Sequence, residues 1–348
     1  MRVIIATTQI PFVYGGAEAH AAALEAALRE QGHQVALFTL PFNPAVPERI
    51  FDQMLACRLF DLAEINAAKV DRLIALKFPA YLIPHPNKVV WLLHQHRAAY
   101  DLWDEDVRDL NFAPRGRAAR RAIERADRTL GEARALFANS KNVARRLRES
   151  CQLEATPLYH PPPGADDFYC AERADDYFFF PSRIHVTKRQ RLVLEALALT
   201  TQPVRIWFAG VADDPAEAEQ LQQDAVRLKI QDRVQWMQHL TEKKKIDTYA
   251  RALAVIYPPL DEDYGYVTLE AMLSSKPVIT CTDSGGPLEF VLGGETGLIA
   301  NPEPTALAAA FDELWSDRAH AAQMGVEGRR HYEQLGLSWP QTVERLLA

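Results

Sequence analysis

The chain has 348 residues, 48% of them hydrophobic, with 39 Lys and Arg against 46 Asp and Glu and a formal net charge of −7. That length supports about two domains with full cores. The acidic balance excludes a nucleic-acid binder that neutralises phosphates over its whole surface. Cys57, Cys151, Cys170 and Cys281 stand far apart with no CxxC pair, which argues against a zinc site or a disulfide framework and for reduced, cytoplasmic thiols.

Short runs rich in Val, Ile and Phe alternate with amphipathic stretches along the chain, the signature of βαβ units and a parallel sheet. The opening MRVIIATTQIPF has an apolar run too short for a signal-peptide core, and no stretch approaches the roughly 18 apolar residues of a membrane span. Any membrane contact is therefore expected to be peripheral. RVIIA predicts the first strand. In TTQIPFVYGGAEAH after it, Gly15 and Gly16 precede a helix whose first amides are unpaired and whose dipole is positive there. That backbone can approach an anion or a sugar, or be a plain glycine turn; it is not a GxGxxG fingerprint. Leu24 and Leu28 sit four apart on the helix and Gly32 marks its stop.

VALFTL, RLIAL, KVVWLL and ALFA are the next strands, and Asn139 or Ser140 caps a helix over NSKNVARRLRES. His94 follows the KVVWLL run, at the rim where sites are built, and a structural and a functional role are both open to it. Its HxH partner His96 would share a strand face, but no carboxylate or cysteine is spaced to complete a metal site. In RGRAARRAIERADR, Arg117, Arg121, Arg125 and Arg128 fall on one helical stripe. A solvated face is the ordinary reading; an anionic membrane surface or a lipid-linked diphosphate acceptor is the alternative.

YHPPPGADDFYCAERADD breaks the alternation with Pro161, Pro162, Pro163 and Gly164, which neither helix nor strand tolerates. The expected domains are 1–165 and 166–335, with 336–348 a final helix whose Ser338 and Gln341 have capping-box spacing. Beyond the break, YFFFPSRI, VRIWFAG, VQWM, LAVIYPP, PVITC and TGLIA read as strands, and Asp214 and Pro215 open a helix between them. The fold class expected is α/β, two doubly wound domains facing across a cleft, with ligands at the carboxyl ends of the strands.

FPSRIHVTKRQ places Arg183 and Lys188 in the loop after the first strand of the second domain. They can hold a diphosphate, Arg as a planar fork and Lys as a point charge, or form a solvated basic loop. In YPPLDEDYGYVTLEAM, Pro258 and Pro259 end a strand, Gly265 permits a tight turn and a helix begins near Tyr266. Its first amides, at Tyr266, Val267 and Thr268, can face a phosphate or a sugar hydroxyl. Glu262 before the turn can reach a sugar, and Glu270 after it can accept from a ribose diol. A helix cap and an exposed helical residue would give the same spacing.

The E-x7-E spacing, followed by LSSKPVIT, DSGGPLEFV and GETGLIANPEP, resembles the C-terminal half of the family-4 retaining glycosyltransferases, whose two Rossmann-like domains make the GT-B fold. GGAEAH, ANSKNVARRL and PSRIHVTKRQ fall in family order, so the resemblance covers nearly the whole chain. It implies that Glu262 contacts the donor hexose, that Glu270 holds the nucleotide ribose, and that Arg183 and Lys188 neutralise the departing diphosphate. It likens His94 to the histidine that reaches the donor sugar, Gly15 and Gly16 to the loop that closes over donor and acceptor, and residues 336–348 to the helix that returns to the N-terminal, acceptor-side domain. The chain departs from the family where Asp263 and Tyr264 replace Pro-Phe before Gly265, and where Ser275 stands for a glycine before KPVI.

The implied activity is metal-independent, cofactor-free hexosyl transfer from a nucleotide diphosphate sugar to a glycan or lipid-linked acceptor, in bacterial surface polysaccharide synthesis at the inner face of the membrane. Such a bond breaks with positive charge on the sugar and negative charge on the diphosphate, so preorganised cations and helix-end amides stabilise the leaving group. A sugar-nucleotide epimerase or hydrolase, or a non-catalytic nucleotide-sugar binder, would share the diphosphate grip. The first would need a proton-moving pair that the sequence does not display.

Overall fold

The computed structural model describes residues 1–42, 46–105 and 110–348. They fold as two compact units, Met1–Pro163 with Leu337–Ala348, and Gly164–Gly336.

The first unit runs β1 (Arg2–Gln9), α1 (Gly16–Glu30), β2 (Gln34–Pro41), α2 (Pro47–Leu59), a two-stranded ribbon of β3 (Glu64–Ile65) and β4 (Ala68–Lys69), β5 (Arg72–Lys77), β6 (Lys88–His94), α3 (Gly116–Asp127), β7 (Ala135–Ala138), α4 (Lys141–Cys151) and β8 (Thr156–Pro157). A parallel sheet is ordered β2-β1-β5-β6-β7-β8. Alternate residues of β1, β5 and β6 supply its two faces, Ile4, Ala6, Leu73 and Val90 on one side and Val3, Ile5, Ile74 and Trp91 on the other. Burial on both faces is why these strands read as continuous apolar runs. Strand order reverses at β1 and β5, so the unit's switch point lies beside the loop that carries Gly15.

The second unit runs β9 (Phe178–Pro181), α5 (Gln190–Leu199), β10 (Ile206–Ala209), α6 (Pro215–Arg227), β11 (Val234–Met237), α7 (Glu242–Arg251), β12 (Ala254–Ile256), α8 (Tyr266–Leu273), β13 (Val278–Cys281), β14 (Gly297–Ala300), α9 (Pro304–Ser316) and α10 (Arg318–Leu335). Its sheet, ordered β11-β10-β9-β12-β13-β14, is again parallel. Here the order reverses between β9 and β12, whose carboxyl-end loops carry Arg183, Lys188 and Glu262.

The last helix, α11 (Trp339–Leu347), belongs to the first unit, where Val343 and Leu346 are buried with Val3, Ile5 and Leu28. Arg72, itself buried, donates to the carbonyls of Leu346, Leu347 and Ala348 at 2.9 to 3.3 Å, satisfying groups that a helix end leaves open. Ser338 accepts from the Gln341 amide at 3.4 Å, but the return bond that would complete a capping box is not formed. Ser275 takes the glycine-like backbone its position requires, with φ 53°.

Candidate functional site

Two loops of the second unit build the site, joined where the Leu260 amide donates to the Thr187 carbonyl at 2.7 Å. Lys188 closes the short turn Val186–Lys188 and is buried, and its ammonium forms an ion pair with Glu262. The same nitrogen donates to the Tyr257 hydroxyl at 3.3 Å. Burial raises the Tyr257 pKa well above the ordinary phenol value, with the Glu262 carboxylate adding to it, so Tyr257 stays neutral. Glu262 is fixed by its backbone: its amide donates to the Ser284 carbonyl at 2.9 Å, and the Gly286 amide donates to its own carbonyl at 2.8 Å. Gly286 is required there, since an added Cβ would lie 2.7 Å from the Tyr264 carbonyl oxygen.

Arg183, more exposed, pairs with Asp213. Arg189 makes two bonds to Asp283, at 2.7 and 2.6 Å. Arg183, Lys188 and Arg189 of this loop therefore each already face a carboxylate.

Gly265 adopts φ 86° and opens α8, which places Glu270 in its second turn. Glu270 is buried, with one oxygen 3.1 Å from the Lys245 ammonium and the other accepting from the Tyr249 hydroxyl at 2.7 Å. Burial pulls the Lys245 pKa down, but Glu270 and Glu242 outweigh it and the net direction is upward, so the group stays charged. Burial and Glu270 together hold Tyr249 well above the usual phenol range. The expectation of three open amides at this helix tip needs correction. The Thr268 amide donates to the Gly265 carbonyl at 3.0 Å, closing a tight first turn, so Thr268 offers a ligand no backbone donor.

In the first unit, Gly15 has extended backbone and Gly16 is the first residue of α1. The Gly15 amide donates to the Glu18 carboxylate at 2.9 Å, and Lys77 reaches the other oxygen of Glu18 at 3.3 Å. A side-chain carboxylate thus already stands at this helix tip, which suits a sugar hydroxyl better than an anion. His94 ends β6, and its Nδ1 lies 2.6 Å from the Gln95 carbonyl oxygen. A carbonyl only accepts, so Nδ1 carries a proton. His96 does not share a strand face with His94, because β6 ends before it. It is buried against Phe42 and Phe78, and burial, with His94 adding, lowers its pKa to about 4, so it is a neutral core group.

Arg117, Arg121 and Arg125 line the exposed face of α3, opposite buried Ala119, Ile123 and Asp127, and Arg128 lies just past the helix end, also exposed. Among the described residues these four make no ion pair. Nor, among those residues, do three His, Cys, Asp or Glu side chains gather as metal ligands, or is any helix long and apolar enough to cross a membrane.

Tyr257, Lys245 and Tyr249 were not singled out from sequence. Lys245 and Tyr249 stand four apart on α7, so one shared face was legible. Their meeting with Glu270 needs the packing of α7 beside α8. A pocket of about 320 Å³ also opens at the carboxyl ends of β10 and β11, lined by Ile184, Val211, Trp236 and Met237 among others.

Comparison with known proteins follows the two units. The family described as "Glycosyltransferase Family 4" matches residues 14–167, and "Glycosyl transferases group 1" matches residues 171–331. The alpha-1,3/1,6-mannosyltransferase ALG2 of Dictyostelium discoideum is 31% identical over 121 residues, 35% of this chain and 29% of that protein. A D-inositol 3-phosphate glycosyltransferase of Nocardia farcinica is 28% identical over 239 residues, 63% of this chain and 52% of its own length. These matches thus span about a third to a half of the curated relatives. In structure, the sucrose-phosphate synthase of Thermosynechococcus elongatus superposes with a TM-score of 0.79 at 17% identity, covering 99% of this chain and 97% of that one. WaaG, a glycosyltransferase involved in lipopolysaccharide biosynthesis, gives 0.70 at 15% identity, with 100% of both chains covered. Two Rossmann-like units of the GT-B kind, matched in order by two glycosyltransferase families, place the chain among the family-4 glycosyltransferases.

Proposed function

We propose that this protein moves a hexose from a nucleotide diphosphate sugar, with retention at the anomeric carbon and without a metal ion, to a hydroxyl of a glycan or lipid-linked acceptor in bacterial surface polysaccharide synthesis. The observation that carries the reading is the pairing of Lys188 with Glu262 beside the α8 turn, with Glu270 held nearby by Lys245 and Tyr249. A carboxylate keeps the Lys188 ammonium in place until a diphosphate, with more negative charge, takes it over. Glu262 is then released to accept from the sugar hydroxyls. Arg183 and Asp213 stand in the same relation at a more exposed position.

Glu270, fixed at both oxygens, retains lone pairs for a ribose diol. The pocket at β10 and β11 is where a base fits, with the Trp236 ring among its walls. Gly15, Gly16 and His94 are assigned to sugar transfer, and the exposed arginines of α3 to an anionic acceptor or membrane surface at the inner face of the membrane. The solved structure of Anabaena HepE, similar in fold at a TM-score of 0.73, holds UDP-glucose. A UDP- or GDP-sugar is the donor class proposed here.

Incubation with UDP- and GDP-hexoses and lipid-linked acceptors is the test. Product with the donor's anomeric configuration, formed in the presence of a chelator, is expected. Donor turnover to free sugar alone, or transfer lost on chelation, would contradict the reading.

A further inference from the structure

The first unit contains a buried carboxylate that the proposed chemistry does not use. Asp127, the last residue of α3, is fully buried and among the described residues has no cationic partner. Three donors converge on it. The Tyr81 hydroxyl reaches one oxygen at 2.6 Å, and Gln95 Nε2 and the Tyr100 hydroxyl reach the other at 3.1 and 2.8 Å. The ionised carboxylate accepts all three bonds at once, whereas a proton on it would have to be accepted by the Tyr81 or Tyr100 oxygen, turning that hydroxyl from donor to acceptor and changing the pattern of bonds.

Gln95 and Tyr100 bracket the loop that leaves β6, and its first contact is the bond from His94 Nδ1 to the Gln95 carbonyl. The Gln95 side chain is tied at its other end too, since Ser150 on α4 donates to its Oε1 at 2.9 Å. A buried group with this many partners fixes the backbone beside His94, and through that carbonyl the tautomer and direction of the imidazole.

We propose that Asp127 is a positioning residue for sugar transfer: by holding Gln95 and Tyr100 it sets the loop that orients His94, and it does so only as the carboxylate. This rests on the role in transfer given to His94 above. Burial is the main reason the Asp127 pKa is raised, to about 6, with the hydrogen bonds of Tyr81, Tyr100 and Gln95 opposing and Glu124 adding to it. Among the described residues, the further titratable group of the cluster is the Cys151 thiol of α4, behind Gln95 and Tyr100; burial pushes its pKa up, so it stays neutral. Tyr81 and Tyr100 are likewise raised above the phenol range by burial and Asp127.

The test uses the full chain and three variants. In Asp127→Asn at about pH 7.5, kcat is expected to fall by about tenfold or more, the scale that small misplacements cost, while donor KM changes by less than about twofold. The wild-type rate should fall below about pH 6. In Tyr100→Phe the midpoint of that fall should move up, because one bond favouring the charged form is gone. Nitrogen NMR signals of the His94 ring, assigned by their loss in His94→Ala, should shift in Asp127→Asn.

Ring signals identical in Asp127→Asn and wild type overturn the proposal, as does a Tyr100→Phe profile whose midpoint has not moved. Full activity of His94→Ala overturns the role of His94 instead, a failure that the ring signals keep separate from that of Asp127. Should Asp127→Asn fail to fold, the Tyr100→Phe profile decides.

Discussion

Lys188 and Glu262, 74 residues apart, form an ion pair whose side chains are only 11% and 16% exposed. Removing either partner leaves the other charge partly buried without compensation. Lys188→Ala and Glu262→Ala are each expected to cost about 1–3 kcal/mol of stability, and the double variant less than the two together. Denaturant unfolding of the four proteins measures the coupling; additive losses would show that the pair is not a unit. Both single variants should lose transfer while remaining folded.

The grip on Glu270 predicts a different kinetic signature. Tyr249→Phe removes one of its two hydrogen-bond donors and Lys245→Ala its charge partner. If Glu270 binds the ribose, a part of the donor that does not react, both variants should raise donor KM several-fold and leave kcat within about twofold. A fall in kcat at constant KM would place Glu270 nearer the reacting bond than the account allows.

Gly286→Ala tests how Glu262 is placed. The new methyl carbon would sit 2.7 Å from the Tyr264 carbonyl oxygen and 2.9 Å from that of Asp263, both backbone atoms. The loop between Glu262 and Gly265 must shift, so transfer should fall by at least about tenfold. Gly294→Ala is the control for a left-handed glycine elsewhere: it has φ 82° and no atom within 4 Å of the added carbon, so it should cost some stability and little activity. Equal activities in the two variants would contradict this.

Acid sensitivity should arise in the first unit. His20 and His160 are buried with ring nitrogens 2.8 Å apart, and burial lowers His20 to about 3 and His160 well below the usual value. Both folded values lie under the unfolded value near 6.5. The stability they confer is therefore present above about pH 6.5 and is lost as pH falls, when the unfolded chain takes protons that the pair refuses. Each histidine contributes up to about 1.4 kcal/mol per pH unit. Unfolding measured between about pH 7 and pH 5 should show a shallower loss in His160→Gln than in wild type. Equal slopes would mean that the pair is not the acid-labile element.

Much of the architecture was legible because parallel strands buried on both faces are continuous apolar runs. ALFA and VQWM match β7 and β11 residue for residue. Local chemistry was legible too, as where Ser140 and Asp214 cap α4 and α6. Hidden from sequence was what depends on partners distant along the chain. The spacing of Glu262 and Glu270 shows two acids around a turn, but not that Lys188 and Lys245 answer them from other elements. The amide of Thr268 was misjudged because a tight first turn spends it on Gly265. His96 looked equivalent to His94 until the end of β6 turned one ring into the core.

The most direct test of the central claim is a structure of the protein with its donor nucleotide bound. A diphosphate is expected within hydrogen-bond distance of Lys188, with the ribose on Glu270 and Glu262 turned away from Lys188. A nucleotide bound elsewhere, with the pair of Lys188 and Glu262 intact, would contradict it.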